Sequence, residues 1–74
     1  MSSIKIVLTT HAKERMRERG VSTASVRLAL SKPLLRRPSY PPTEIVQFRD
    51  KKGTLEIVFT QERSKYIIIT AYYK

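Results

Sequence analysis

The sequence predicts an α+β domain in which two N-terminal helices pack on one face of a largely antiparallel four-stranded sheet. Three features of the chain lead there. It has 74 residues, enough for one domain around one small core. Its first half turns helical after a short alternating segment, and from Glu44 onward it alternates with the period of strands. A connector holding all four prolines, KPLLRRPSYPPT, separates the halves. Helices segregated from a run of strands are the mark of this class.

Ile4–Leu8 alternates Ile4, Ile6 and Leu8 against Lys5 and Val7, which suits a short strand. Thr9 and Thr10 offer an N-cap for a helix over His11–Arg19. Gly20 is the natural C′ residue because it adopts positive φ without strain, and this places Met16 and Val21 at the two contact positions of a Schellman motif. Ser22 caps a second helix over Thr23–Ser31, with Val21 and Val26 spaced as a hydrophobic staple. Pro33 ends that helix, since the residue before a proline avoids the α region.

The connector is extended and too rich in proline for a central strand. Strands are predicted over Glu44–Asp50, Thr54–Glu62 and Tyr66–Tyr73, with turns at Asp50-Lys51-Lys52-Gly53 and Arg63-Ser64-Lys65. The apolar run Ile67–Ile69 marks the last strand as interior, so Ile4–Leu8 is expected to pair with it. Alternation assigns Leu55, Ile57 and Phe59 to a core face, joined by Val46, Phe48, Ile67, Ile69 and Ala71. Ala12, Met16, Val26, Ala29 and Leu30 cover it. The other face, with Gln47, Arg49, Glu56, Thr60, Thr70 and Tyr72, is too polar for a second core and is where a site is expected.

Fifteen Lys and Arg stand against six Asp and Glu, a formal charge of +9. Such a field attracts polyanions and raises their encounter rate, so the favoured partner is a nucleic acid, RNA in particular. An acidic protein partner and a merely well-solvated surface are the alternatives. The chain has no cysteine, which removes disulfides and thiolate metal sites. Small domains in oxidising compartments usually carry disulfides, so a cytoplasmic location is expected. MSSIKIVLTTHAK lacks the apolar core of a signal peptide, and no stretch is long enough to cross a bilayer.

One histidine, a lone aspartate in a turn and no clustered carboxylates argue against a catalytic metal centre. Two glycines in all leave no Gly-rich phosphate loop, and no cofactor is expected. Metal-independent RNA cleavage, in which the 2′-hydroxyl attacks its own phosphate, stays open. It needs a proton acceptor, a proton donor and positive charge. Histidine is the residue most used for proton transfer near neutral pH, which singles out His11 at a helix start. Arg15 and Arg19 follow at one-turn spacing. Tyr72 on the polar face could stack on a base or donate a proton. The plainer reading is that Arg15–Glu18 and Glu14–Arg17 are ordinary helix ion pairs and His11 only caps. Arg36, Arg37 and Tyr40 form a second basic–aromatic group in the connector, and Arg49 lies on the polar face.

The run His11-Ala12-Lys13-Glu14-Arg15-Met16-Arg17-Glu18-Arg19-Gly20-Val21 resembles the H-A-x-x-R-M-x-x-R-G-[IV] signature of a small prokaryotic domain family of unknown function. In that family the motif follows a short strand and precedes a second helix, a three-strand meander and a closing Thr-x-Tyr, here Thr70-Ala71-Tyr72. The similarity covers nearly the whole chain. The architecture also resembles the RelE/ParE toxin superfamily and the wider barnase-like and colicin-like ribonucleases. That resemblance implies a metal-independent endoribonuclease acting on mRNA, often ribosome-bound, with an acidic antitoxin as inhibitor. The Lys- and Arg-rich second helix of RelE toxins carries only Arg27 here, so their active-site roles do not transfer. The expected function is RNA binding by a RelE-like domain, with His11, Arg15 and Tyr72 as catalytic candidates and Arg19, Arg36, Arg37 and Arg49 as RNA contacts. The alternatives are a non-catalytic nucleic-acid-binding module and a protein-interaction domain that docks an acidic antitoxin-like partner.

Overall fold

The computed structural model describes residues 5–74. In chain order its elements are β1 (Lys5–Leu8), α1 (Thr10–Arg19), α2 (Thr23–Ser31), β2 (Leu35–Pro38), β3 (Thr43–Asp50), β4 (Gly53–Glu62) and β5 (Lys65–Tyr73). Ile4, expected to open the first strand, lies outside the described residues.

Local signals set the helix ends. Thr9 keeps an extended backbone while its Oγ1 accepts from the Ala12 N–H at 3.0 Å. The same hydroxyl donates to the Ile68 carbonyl at 3.1 Å, which fastens the start of α1 to β5. Gly20 stands at φ 69°, and the N–H groups of Gly20 and Val21 both reach the Met16 carbonyl, the latter at 2.8 Å. Ser22 caps α2 through the Ser25 N–H at 3.1 Å. Met16, Val21 and Val26 are all buried, so the Schellman contact and the staple share Val21 at the corner between the helices.

The sheet has five strands in the order β1-β5-β4-β3-β2. β1 runs parallel to β5, and the other neighbours are antiparallel. The four-stranded, largely antiparallel RelE-like arrangement with two helices on one face is therefore corrected to a five-stranded mixed sheet within the α+β class. The additional strand comes from the connector. β2 pairs Leu35 with Gln47, Arg36 with Val46, Arg37 with Ile45 and Pro38 with Glu44. Beyond it, the Ser39 N–H bonds to the Thr43 carbonyl at 3.1 Å. By the alternation of an antiparallel ladder, Arg37 and Leu35 also turn their backbone groups toward β3, and Arg36 and Pro38 turn theirs outward. Pro38 thus lacks an N–H only where none is used, and an edge strand tolerates it.

A second correction concerns β5. Val58 pairs with Thr70 but Phe59 pairs with Ile68, so Ile69 is the extra residue of a bulge. The bulge shifts the inward set to Tyr66 and Ile68 on one side and Ala71 on the other, all buried. Ile67 and Ile69, expected in the core, are only partly buried. Phe59, Leu55, Ile57, Ile68, Val26 and Val46 are the largest fully buried side chains. They form one cluster with Ala12, Met16, Ala29, Leu30 and Ala71. The Tyr66 ring meets Phe59 edge-on at 5.2 Å between centroids, a favoured aromatic geometry.

Candidate nucleic-acid interface

Side chains that alternate with the core set point to the other face of the sheet. Register places Gln47, Glu56 and Tyr72 in one row across β3, β4 and β5. The next row is Arg37, Ile45, Val58 and Thr70 across β2 to β5. Arg49 shares the face by its spacing from Gln47. The floor is thus β-branched, flanked by one aromatic and by arginines.

Glu56 anchors the first row. It is 4% exposed, the only buried polar or charged residue among those described. Tyr72 Oη donates to its Oε2. Gln47 Nε2 donates to its Oε1 at 2.9 Å, and Lys74 Nζ lies 3.3 Å from the same oxygen. Burial pushes the carboxyl pKa up, but the bonds from Tyr72, Gln47 and Lys74 outweigh it and hold the group below its ordinary value. Tyr72 is shifted the other way. Its bond to the Glu56 carboxylate, then burial, raise its pKa, against a smaller opposing influence of the Arg37 cation. Tyr72 therefore keeps its proton at neutral pH and acts as a donor, with Arg37 near enough for its charge to be felt.

A carboxylate accepts hydrogen bonds and donates none. Glu56 therefore fixes the Gln47 amide with nitrogen inward and Oε1 free to face away. No partner for that oxygen is present among the described residues, and no buried side-chain oxygen or nitrogen there goes unsatisfied.

The sequence-derived candidates divide between the two sides of the sheet. Tyr72, Arg37 and Arg49 share the face turned from the core. His11, Arg15 and Arg19 are exposed on α1, whose Ala12 and Met16 enter the core from the opposite side. Ala71 is buried in that core and Tyr73 packs against it, so the intervening Tyr72 points away. The expected trio of His11, Arg15 and Tyr72 is thus not brought together: the sheet stands between. Arg15 lies 3.6 Å from Glu18 in an exposed i,i+3 pair.

Arg36 is occupied within the fold. Its Nε donates to Glu44 at 2.7 Å, an NH2 group donates to Gln61 at 3.1 Å, and its guanidinium lies over the Phe59 ring at 5.5 Å. It ties β2 to its neighbours, leaving Arg37 as the connector arginine on the open face. Sequence reasoning placed Gln47 and Glu56 on the open face without giving either a role, and it missed Lys74. The available signal was a single acid inside Leu55-Glu56-Ile57-Val58-Phe59, a position that register then sets beside Tyr72.

Three ion pairs engage Arg15, Arg36 and Lys74 with Glu18, Glu44 and Glu56. Asp50 accepts from Tyr73 Oη at 2.7 Å and from the Lys52 N–H at 2.8 Å. Four of the six acids are thus taken up inside the fold, and the positive excess is left at the surface. Among the described residues no three His, Asp or Glu side chains converge to hold a metal ion. No described helix is long and apolar enough to cross a membrane.

No curated protein and no solved structure matches the chain at a significant level. A family model described as a domain of unknown function, DUF4258, matches residues 8–73, from the end of β1 to the end of β5, and the chain belongs to that family.

Proposed function

We propose that this domain binds single-stranded RNA on the sheet face that carries Tyr72, Arg37 and Arg49. The observation that carries the reading is the uncompensated charge: three of fifteen Lys and Arg are in ion pairs among the described residues, while the acids are mostly satisfied internally. The partly exposed Val58 and Thr70 beside the Tyr72 ring suit unstacked bases, which a duplex would hide. Binding is proposed without a proton-transfer trio, since His11 and Tyr72 lie on opposite sides of the sheet.

Fluorescence anisotropy of a labelled RNA oligonucleotide, titrated at several salt concentrations, tests this. Each phosphate contact on a single strand contributes about 0.7 to the slope of log K against log salt. Replacing Arg37 and Arg49 together by Ala should therefore lower the slope by about 1.4. Absence of binding at low salt would overturn the proposal.

A second reading has one observation in its favour. The exposed large apolar residues Leu28, Leu34, Leu35 and Tyr40 all fall within the segment Arg19–Thr43, which contains no acid. An acidic, partly apolar polypeptide would complement that surface. Leu28→Asp, on α2 and so on the helix side of the sheet, should weaken such an association and leave RNA affinity on the open face unchanged.

A further inference from the structure

We infer that Gln47, held by Glu56, makes the open face select RNA bases bearing an exocyclic amine over uracil. This rests on the RNA-binding reading above and adds a base preference to it.

An unanchored glutamine turns its amide either way and pairs with donors or acceptors alike. Gln47 has lost that freedom. Its Nε2 donates to Glu56 Oε1 at 2.9 Å, and Glu56 is buried with Tyr72 and Lys74 on its remaining acceptor positions. Turning the amide over would set oxygen against carboxylate in a poorly solvated site, with both groups repelling. What faces outward is an acceptor, Gln47 Oε1, beside the Tyr72 ring two strands away. Strands about 4.8 Å apart put the two backbones about 10 Å apart, and both side chains lean on Glu56 between them. A base lying on Tyr72 therefore has its edge within reach of Gln47.

Adenine, cytosine and guanine offer an exocyclic N–H₂ to such an oxygen. Uracil offers only its imide N–H, flanked on both sides by carbonyl oxygens that come alongside Oε1 and toward the Glu56 carboxylate. Its pairing is opposed by oxygen–oxygen repulsion. Tyr72 stacks on any base with modest differences in strength, so the discrimination assigned to Gln47 is the part lost when its amide is removed.

The test compares wild type, Gln47→Leu and Glu56→Gln for binding to oligo(A), oligo(C) and oligo(U) of equal length at one low salt concentration. Leucine is near-isosteric and suits a strand, and Glu56 keeps Tyr72 and Lys74, so Gln47→Leu should fold. Circular dichroism and thermal melting confirm that each variant is folded. Wild type should prefer oligo(A) and oligo(C) to oligo(U) by about fivefold, the worth of one neutral hydrogen bond. Gln47→Leu should lower affinity for oligo(A) and oligo(C) to about that for oligo(U) and so lose the preference. Glu56→Gln frees the amide to pair either way and should narrow the preference while Tyr72 still stacks. Wild-type binding without a preference, or a preference that survives in Gln47→Leu, would overturn this inference and leave RNA binding standing. No RNA binding by the folded wild type would overturn both.

Discussion

Tyr72→Phe keeps the ring and deletes one of three donors to a carboxylate that is 4% exposed. A hydrogen bond to a charged group contributes roughly 1.5–3 kcal/mol. Gln47 and Lys74 remain, and Tyr72 itself is only partly buried, so the lower part of that range applies, about 1.5–2 kcal/mol. For a domain of this size each kcal/mol moves Tm by about 4–8 °C, which gives a loss of about 10 °C at neutral pH. The pH dependence identifies the cause. Glu56 is depressed in the folded state despite its burial, so its contribution is present above the unfolded carboxylate value and is lost as pH falls through the lower folded one. Removing the Tyr72 donor raises that folded value. The Tm difference should therefore be full at pH 7 and shrink below about pH 4. Thermal melts of both proteins from pH 3 to pH 8 measure it. An unchanged Tm at pH 7, or a deficit of equal size at every pH, would refute the assignment of Tyr72 as a donor to an ionised Glu56.

Gly20→Ala forces a side chain into the left-handed region at φ 69°, at a cost of about 1–2 kcal/mol. The new Cβ meets only the flexible end of Lys52 at 3.3 Å, so the backbone term dominates and denaturant midpoints should fall accordingly. Asp50 is held below its ordinary pKa chiefly by the Tyr73 hydroxyl, which outweighs the effect of burial. Asp50→Asn should therefore lower stability at neutral pH, with the difference from wild type vanishing as pH falls through the folded Asp50 value. His11→Ala and Arg15→Ala lie on the helix side and should each change RNA affinity by less than Arg37→Ala does, as anisotropy titrations will measure.

Local chemistry made the helical half legible. Thr9, Gly20, Val21 and Ser22 act through bonds and contacts a few residues away, so their roles can be read without knowing the tertiary structure. The interior place of β5 followed from Ile67-Ile68-Ile69, but the same run concealed its register. Three successive isoleucines have no polar member to oppose a one-residue slip, and the bulge at Ile69 exploits that freedom. β2 was obscured because Pro33 precedes it and Pro38 is its last residue, and proline excludes a central strand more firmly than an edge one. The open face itself was legible from Gln47, Glu56 and Tyr72. Their joining into one hydrogen-bonded row depends on cross-strand register, which the composition of single strands does not specify. The separation of His11 from Tyr72 is likewise a matter of topology, since it turns on which side of the sheet α1 packs.

The most direct test of the central claim is the salt dependence of RNA affinity for wild type beside the Arg37→Ala, Arg49→Ala double variant. If the open face takes the phosphates, both proteins bind at low salt, affinity falls linearly on a log–log plot, and the double variant has the shallower slope by about 1.4. Equal slopes for the two proteins would contradict the placement of RNA on this face, and a wild type that binds no RNA at low salt would contradict the claim as a whole.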